Sequence, residues 1–252
     1  MHFFYNLYCN GKHTLLNNQS IFFPFEEDFQ YQYLFIVGMP RCGSTLLESI
    51  LSLNHEVKDL GEVCYLEESL QKSDDLLEVK SLYKEKVMLI NSKKKIFTDK
   101  NLFNFFYCPI IYELFPNARV IHCIRNPLDN ILSIYRTNFL NQSFSSSLND
   151  ISDLYLYHIQ LMKEYKSKFG SIIYSYDHEQ VVKNPKKTIR DLINWLDWEW
   201  SEKYLSPQKS KRSVFTASSA QVRKKINSNS SGYWKKYADL LGPISDLFPS
   251  HN

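Results

Sequence analysis

The sequence predicts an α/β fold: one main domain with a central, mainly parallel sheet flanked by helices in three layers. Three observations predict it. Short apolar runs alternate with segments whose apolar residues recur at helical spacing, and strand–helix–strand order favours a parallel sheet covered on both faces. FIVGMPRCGSTLLESIL, residues 35 to 51, joins an apolar strand to a helix through a loop holding Gly38 and Gly43. ARVIHCI, residues 118 to 124, is rich in β-branched residues and stops at Arg125, before the helix-start pair Asn126-Pro127.

Taken in order, residues 1 to 32 read as an irregular flank that packs on the core, and 33 to 252 as the domain. Tyr33 to Val37 is the first strand, and Thr45 to Leu53 a helix with Leu46, Leu47, Ile50 and Leu51 on one face. Glu62 to about Ile90 is charge-laced and helical, Lys95 to Thr98 a short strand, and Phe103 to Phe115 a helix. A strand follows over 118 to 124, with a helix after it. A long helix from Leu148 to Lys168 leads through Gly170 to the strand SIIYSY, and Pro185 to Leu196 is an amphipathic helix.

At 252 residues, with 44% hydrophobic and 15% aromatic residues, the chain is globular and long enough for one substantial core. A formal charge of +3 is too small to indicate a nucleic-acid binder, and no nucleic-acid partner is expected. Cations are instead concentrated: six basic residues and no acidic one fall between Lys209 and Lys225. The five cysteines (9, 42, 64, 108 and 123) form no CxxC pair, so neither a disulfide framework nor a metal site is indicated. The start, MHFFYNLYCNGKHTLL, is broken by polar residues and makes a poor signal peptide, and no stretch reaches the ~18 apolar residues of a membrane span. A cytoplasmic protein without a membrane span is expected.

The loop carries the chemistry. Gly38 and Gly43 let the backbone curl with its N–H groups inward, and the helix start adds its positive dipole end. Arg41 supplies a planar charged fork, and Ser44 and Thr45 supply hydroxyls. The lysine that steadies β- and γ-phosphates in nucleoside-triphosphate enzymes is replaced by Ser44, and no strand ending in an aspartate at the magnesium position stands out. A phosphosulfate, whose terminal sulfuryl group carries a single negative charge, needs less help.

Together VGMPRCGSTLLESIL, TDKNLFNFFYCPIIYELFPNARVIHCIRNPLDNILSIY and TASSAQVRKKINSNSSGYWKKY resemble the sulfotransferases that use 3′-phosphoadenosine-5′-phosphosulfate (PAPS). The likeness is to the branch of protein-tyrosine sulfotransferases and bacterial tetratricopeptide-linked sulfotransferase domains, and it runs over roughly residues 33 to 242. It implies a P-loop-like fold, PAPS as co-substrate, its spent form PAP (adenosine 3′,5′-bisphosphate) as product, no metal, and a hydroxyl-bearing acceptor. By the same resemblance Arg41, Cys42, Gly43, Ser44 and Thr45 grip the 5′-phosphosulfate, while Arg125 and Ser133 hold the 3′-phosphate. Ser218, Gln221, Val222, Arg223 and Lys224 belong to a segment folded over the nucleotide, and Tyr176 lies near the adenosine. Glu62 matches the glutamate base and Lys100 the cation at the leaving group, with Asp99 beside it to orient it.

Departures from the family pattern stand beside these matches. Cys42 replaces a usual serine and Ser44 a usual threonine. Arg136 falls one position before a basic residue of the tyrosine-sulfotransferase pattern, where this chain has Thr137. Tyr233 precedes Trp234 where a basic residue is usual, with Lys235 as a substitute. His55, in the turn after the loop helix, is the second choice of base, and His122, mid-strand, reads as a core histidine. Two other readings remain open: a P-loop kinase or nucleotide-binding protein, and a non-catalytic PAPS- or PAP-binding homologue.

Overall fold

The computed structural model describes residues 30–90, 93–137, 139, 143–210 and 225–249. Five strands form one sheet: β1 (Gln32–Gly38), β2 (Val57–Gly61), β3 (Ile96–Asp99), β4 (Arg119–Ile124) and β5 (Ile173–Asp177), in the order β2-β3-β1-β4-β5. Every pairing is parallel. All strand carboxyl ends therefore lie along one edge, and connections diverge to either side of β1, the kind of switch point where open α/β sheets bind ligands.

Among the described residues the α-helices are α1 (Ser44–Leu51), α2 (Tyr65–Lys72), α3 (Leu76–Met88), α4 (Cys108–Leu114), α5 (Pro127–Thr137), α6 (Leu148–Phe169), α7 (His178–Lys183), α8 (Pro185–Trp195) and α9 (Ala238–Ser245). Alternation along β1 sorts them into two layers. Tyr33, Phe35 and Val37 face a core built with α2–α6 and α9, while Leu34 and Ile36 face one built with α1, α7 and α8. The expected three-layer α/β architecture is what the chain adopts.

Local chemistry accounts for where the elements fall. Asn126 caps α5, its Oδ1 accepting from the Asp129 amide at 3.1 Å, and Pro127 opens the helix. The helical stretch expected over 62 to 90 is two helices, because Asp75 caps a new start by accepting from the Leu77 amide at 2.9 Å. The helix expected over 103 to 115 begins as a 3-10 turn, Leu102–Tyr107, and becomes α4 where Pro109 enters the first turn. Three strands or α-helices went unread: β2, a partly exposed edge strand of sequence VKDLG, α7, six residues capped by Asp177, and α9, beyond the last element the sequence marked. The expected N-terminal flank lies almost wholly outside the described residues. Among those described, no helix is long and apolar enough to cross a membrane.

Candidate functional site

The loop between β1 and α1 is shaped by three residues with positive φ: Gly38 at 148°, Arg41 at 68° and Gly43 at 96°. Close packing requires glycine at two of them. A Cβ on Gly38 would lie 2.6 Å from the Cys123 carbonyl oxygen, and one on Gly43 would lie 2.4 Å from His178 Nδ1. Arg41 is held in the left-handed region, a strain typical of ligand sites. The turn closes with the Leu46 and Leu47 amides donating to the Gly43 carbonyl at 3.0 and 3.2 Å. The amides that precede these two, at Ser44 and Thr45, begin the eight-residue α1, the kind of helix start that can receive an anion.

A cavity of about 510 Å³ opens beside this loop on the β4–β5 side, lined by Arg41, Thr45, Arg125, Ser133, His178 and Tyr233 among others. Arg41 Nε donates to Ser133 Oγ at 3.1 Å, and Arg125 Nη1 donates to the Arg41 carbonyl at 2.9 Å. Arg125 Nη2 reaches the Ser230 carbonyl at 2.8 Å, and its Nε is buried without a protein partner. Burial, and then the like charge of Arg125, pull the Arg41 guanidinium below its usual pKa. Arg136 and Lys225 add two more cations to the wall. The carboxylate in that wall, Asp129, accepts from the Gly232 and Trp234 amides at 2.6 and 2.8 Å. His178 is pushed down to about 4 by burial and then by Arg125, so it stands neutral at pH 7.

On the other side of β1, the ends of β2 and β3 bring two more groups together. β2 shifts register between Asp59 and Gly61, and Gly61 turns at φ 76°. That bulge delivers Glu62 to Lys100, whose Nζ donates to Glu62 Oε1 at 2.8 Å. Lys100 Nζ also lies 3.6 Å from Glu48 Oε2 on α1, which ties the pair to the loop helix. The Lys100 side chain is 1% exposed and that of Glu62 57%, so the lysine is fixed from beneath while the carboxylate faces outward.

A family model described as the Sulfotransferase family matches residues 33–202. The chain belongs to this family. A protein of Aquifex aeolicus (strain VF5), described as uncharacterized, is 31% identical over 241 residues, covering 85% of this chain but 32% of that relative. The chain thus spans about a third of the relative's length. The sulfotransferase domain from the Synechococcus PCC 7002 olefin synthase superposes with a TM-score of 0.59 at 17% identity, covering 81% of this chain and 87% of that one. Mouse sulfotransferase SULT7A1, complexed with PAP, gives a TM-score of 0.55 at 16% identity over 86% of this chain and 82% of its own. At these identities the likeness is one of fold.

The sulfotransferase fold distributes the expected site residues unevenly. Arg41, Gly43, Thr45, Arg125 and Ser133 line one cavity, joined by Arg136 and Thr137. The Cys42 thiol turns away from it, into the core, where it contacts Cys123 and Ser44. Ser44 is likewise buried in the loop. Tyr176 does not line the cavity. It pairs with Cys123 across β4 and β5, on the sheet face that α1 and α8 cover, and is fully buried. Ser218, Gln221, Val222, Arg223 and Lys224 lie outside the described residues. Lys235 is exposed, and Tyr233 occupies the wall where a basic residue was sought.

Two strands end in aspartate, β5 at Asp177 and β3 at Asp99, where none stood out in the sequence. The Asp99 carboxyl is occupied: Tyr83 donates to one oxygen, the Asn101 amide and Asn104 Nδ2 to the other, each at 3.1 Å. Burial pushes it up to about 7. Lys100 is not among the groups that hydrogen-bond to it; that lysine turns to Glu62 and Glu48 instead. His55 precedes β2 and so sits at the amino edge of the sheet, opposite the site, exposed and paired with Glu56 at 3.1 Å. His122 is a core histidine, its Nε2 2.9 Å from that of His158. Three residues escaped sequence reading: His178, Asp129 and Ser230. Only His178 left a usable signal, since it directly follows a strand's carboxyl end.

Proposed function

We propose that this chain transfers a sulfuryl group from PAPS to an acceptor hydroxyl. The observation that carries the reading is the convergence of Arg41, Arg125 and Ser133 with the α1 N-terminus on one cationic cavity. A ligand with two separated anionic groups fits this arrangement. The loop and Arg41 would take the 5′ end, and Arg125 with Ser133 the 3′-phosphate. The mouse neighbour's PAP complex and membership in the family support that choice. Ser44 in place of a lysine, and Asp99 engaged by three donors, favour it over a nucleoside-triphosphate enzyme.

Glu62 is the base in this reading. Its carboxylate takes the acceptor's proton as the new S–O bond forms, and Lys100 stabilises charge on the bridging oxygen as the bond to the leaving phosphate breaks. The products are a sulfate ester and PAP. The strand order supports the division of labour, with donor groups at the ends of β1 and β4 and transfer groups at the ends of β2 and β3.

Calorimetry with PAP in the presence of a chelator, and labelled transfer from PAPS onto pooled peptides, glycans and phenols, test the reading. Glu62→Gln is expected to lower turnover by about 10²–10⁴-fold and leave PAP affinity within a factor of two of wild type. No PAP affinity in the wild type would end the donor assignment. Full activity in Glu62→Gln would end the choice of base, and PAP binding without any transfer would favour a non-catalytic homologue.

A further inference from the structure

Part of the cavity's wall comes from a segment distant in sequence, Ser230 to Tyr237, of which Ser230 and Tyr233 line it, and two of the groups that hold the segment, Asp129 and Arg136, sit on one helix. Asp129, Ser133 and Arg136 are at i, i+4 and i+7 of α5, so they share a face. Asp129 is 2% exposed and lies in the first turn. Its two oxygens accept from alternate amides of the segment, Gly232 at 2.6 Å and Trp234 at 2.8 Å, with Gly232 at φ 70°. Between those anchored amides is Tyr233. Its ring lies 5.3 Å from the Arg136 guanidinium, which is also 5.4 Å from the Tyr237 ring. The Tyr233 and Tyr237 rings themselves meet at 5.6 Å between centroids. The segment's third tie is Ser230, whose carbonyl accepts from Arg125.

We infer that Asp129 is a positioning residue for the donor pocket: its carboxylate latches the segment 230–237 onto α5 and thereby fixes Tyr233 and Arg136 in the pocket's wall. A carboxylate facing a cationic cavity would otherwise repel a multiply charged anion. Here its charge is directed to two backbone N–H groups, charge-assisted bonds of the stronger kind. Arg136, a long and flexible cation, gains a fixed place by resting on a ring that is itself held from both sides. The ligand class is a nucleotide bearing two separated phosphate or sulfate groups, so the inference rests on the donor reading above.

The test compares Asp129→Ala and Asp129→Asn with the wild-type full chain, using PAP as the calorimetric probe and hydrogen exchange as the conformational one. Expected for Asp129→Ala are a PAP dissociation constant at least tenfold higher, a matching rise in KM for PAPS, and an unchanged KM for the acceptor. Exchange over 225–237 should become fast while the strands keep wild-type protection. Asp129→Asn, which retains one acceptor oxygen, should recover part of the loss. Arg136→Ala should cost affinity in the wild type and little further in Asp129→Ala. Unchanged PAP affinity in Asp129→Ala, retained protection over 225–237, or fully additive losses would each overturn the latch. Should Asp129→Ala fail to fold, Tyr233→Ala decides: undiminished PAP affinity in it overturns the proposal. A wild type that binds no PAP would sink the donor reading instead, and the latch would then stand or fall on the exchange result alone.

Discussion

Single residues in the loop act through backbone geometry more than through side-chain chemistry. Gly43 shows this most directly. At φ 96°, with His178 Nδ1 2.4 Å from where a Cβ would stand, it can hold no side chain without strain and displacement. Gly43→Ala is therefore expected to destabilise the fold by about 1–3 kcal/mol. It should also weaken PAP binding, because the displaced His178 is part of the same cavity; urea denaturation and calorimetry would read the two effects. Near-wild-type values in both would mean the loop is far more pliant than its packing implies. The glycine spacing was legible because a phosphate loop is a local structure written in consecutive residues. The inward turn of Cys42 was not, since it depends on Cys123 occupying the neighbouring strand, 81 positions away by numbering.

Elements were legible where their signals are local and chemical. Asn126-Pro127 announced α5, and the apolar spacing of Ile189, Leu192 and Ile193 announced α8. Legibility failed where tertiary context decides. β2 is an edge strand with mostly half-exposed residues, so neither alternation nor an apolar run marks it. Glu62, the expected base, was matched from its motif, but its meeting with Lys100 depends on the β2 bulge, which no local signal marks. The clearest test at this scale is the α5 cap. Asn126 Oδ1 accepts the Asp129 amide, and the Asn126 amide donates to Glu179 Oε2 at 2.8 Å, binding the helix start to α7. Asn126→Ala removes the first bond and keeps the second, so it should lower unfolding free energy by about 1 kcal/mol. A urea midpoint equal to wild type would show that the cap contributes nothing to α5.

At the scale of the whole molecule, the parallel sheet sorts groups by edge. Residues that follow strands gather at the site, and residues that precede them, such as His55, are carried to the far side. The sheet faces also bury three histidines as neutral groups. Burial lowers His122 to about 3, His178 to about 4, the latter helped by Arg125, and His158 well below its usual value, helped by His122. Their folded values lie below the unfolded value near 6.5, so unfolding takes up protons. The stability they contribute is complete above pH ~6.5 and declines as pH falls toward 4, each group giving a slope of about 1.4 kcal/mol per pH unit within its window. Asp99, raised to about 7 by burial, has the opposite sign: its contribution is complete below pH ~4 and declines as pH rises toward 7. Glu67 and Glu179, also raised chiefly by burial but by less, act in the same sense as Asp99, and the three histidines outweigh them to give a net loss of stability on acidification from pH 6.5 to 4. Urea midpoints across that range should fall, and they should fall less steeply in His122→Leu/His158→Leu, where two of the proton acceptors are gone. An acid limb as steep in the double variant as in the wild type would assign the pH response to groups outside the sheet.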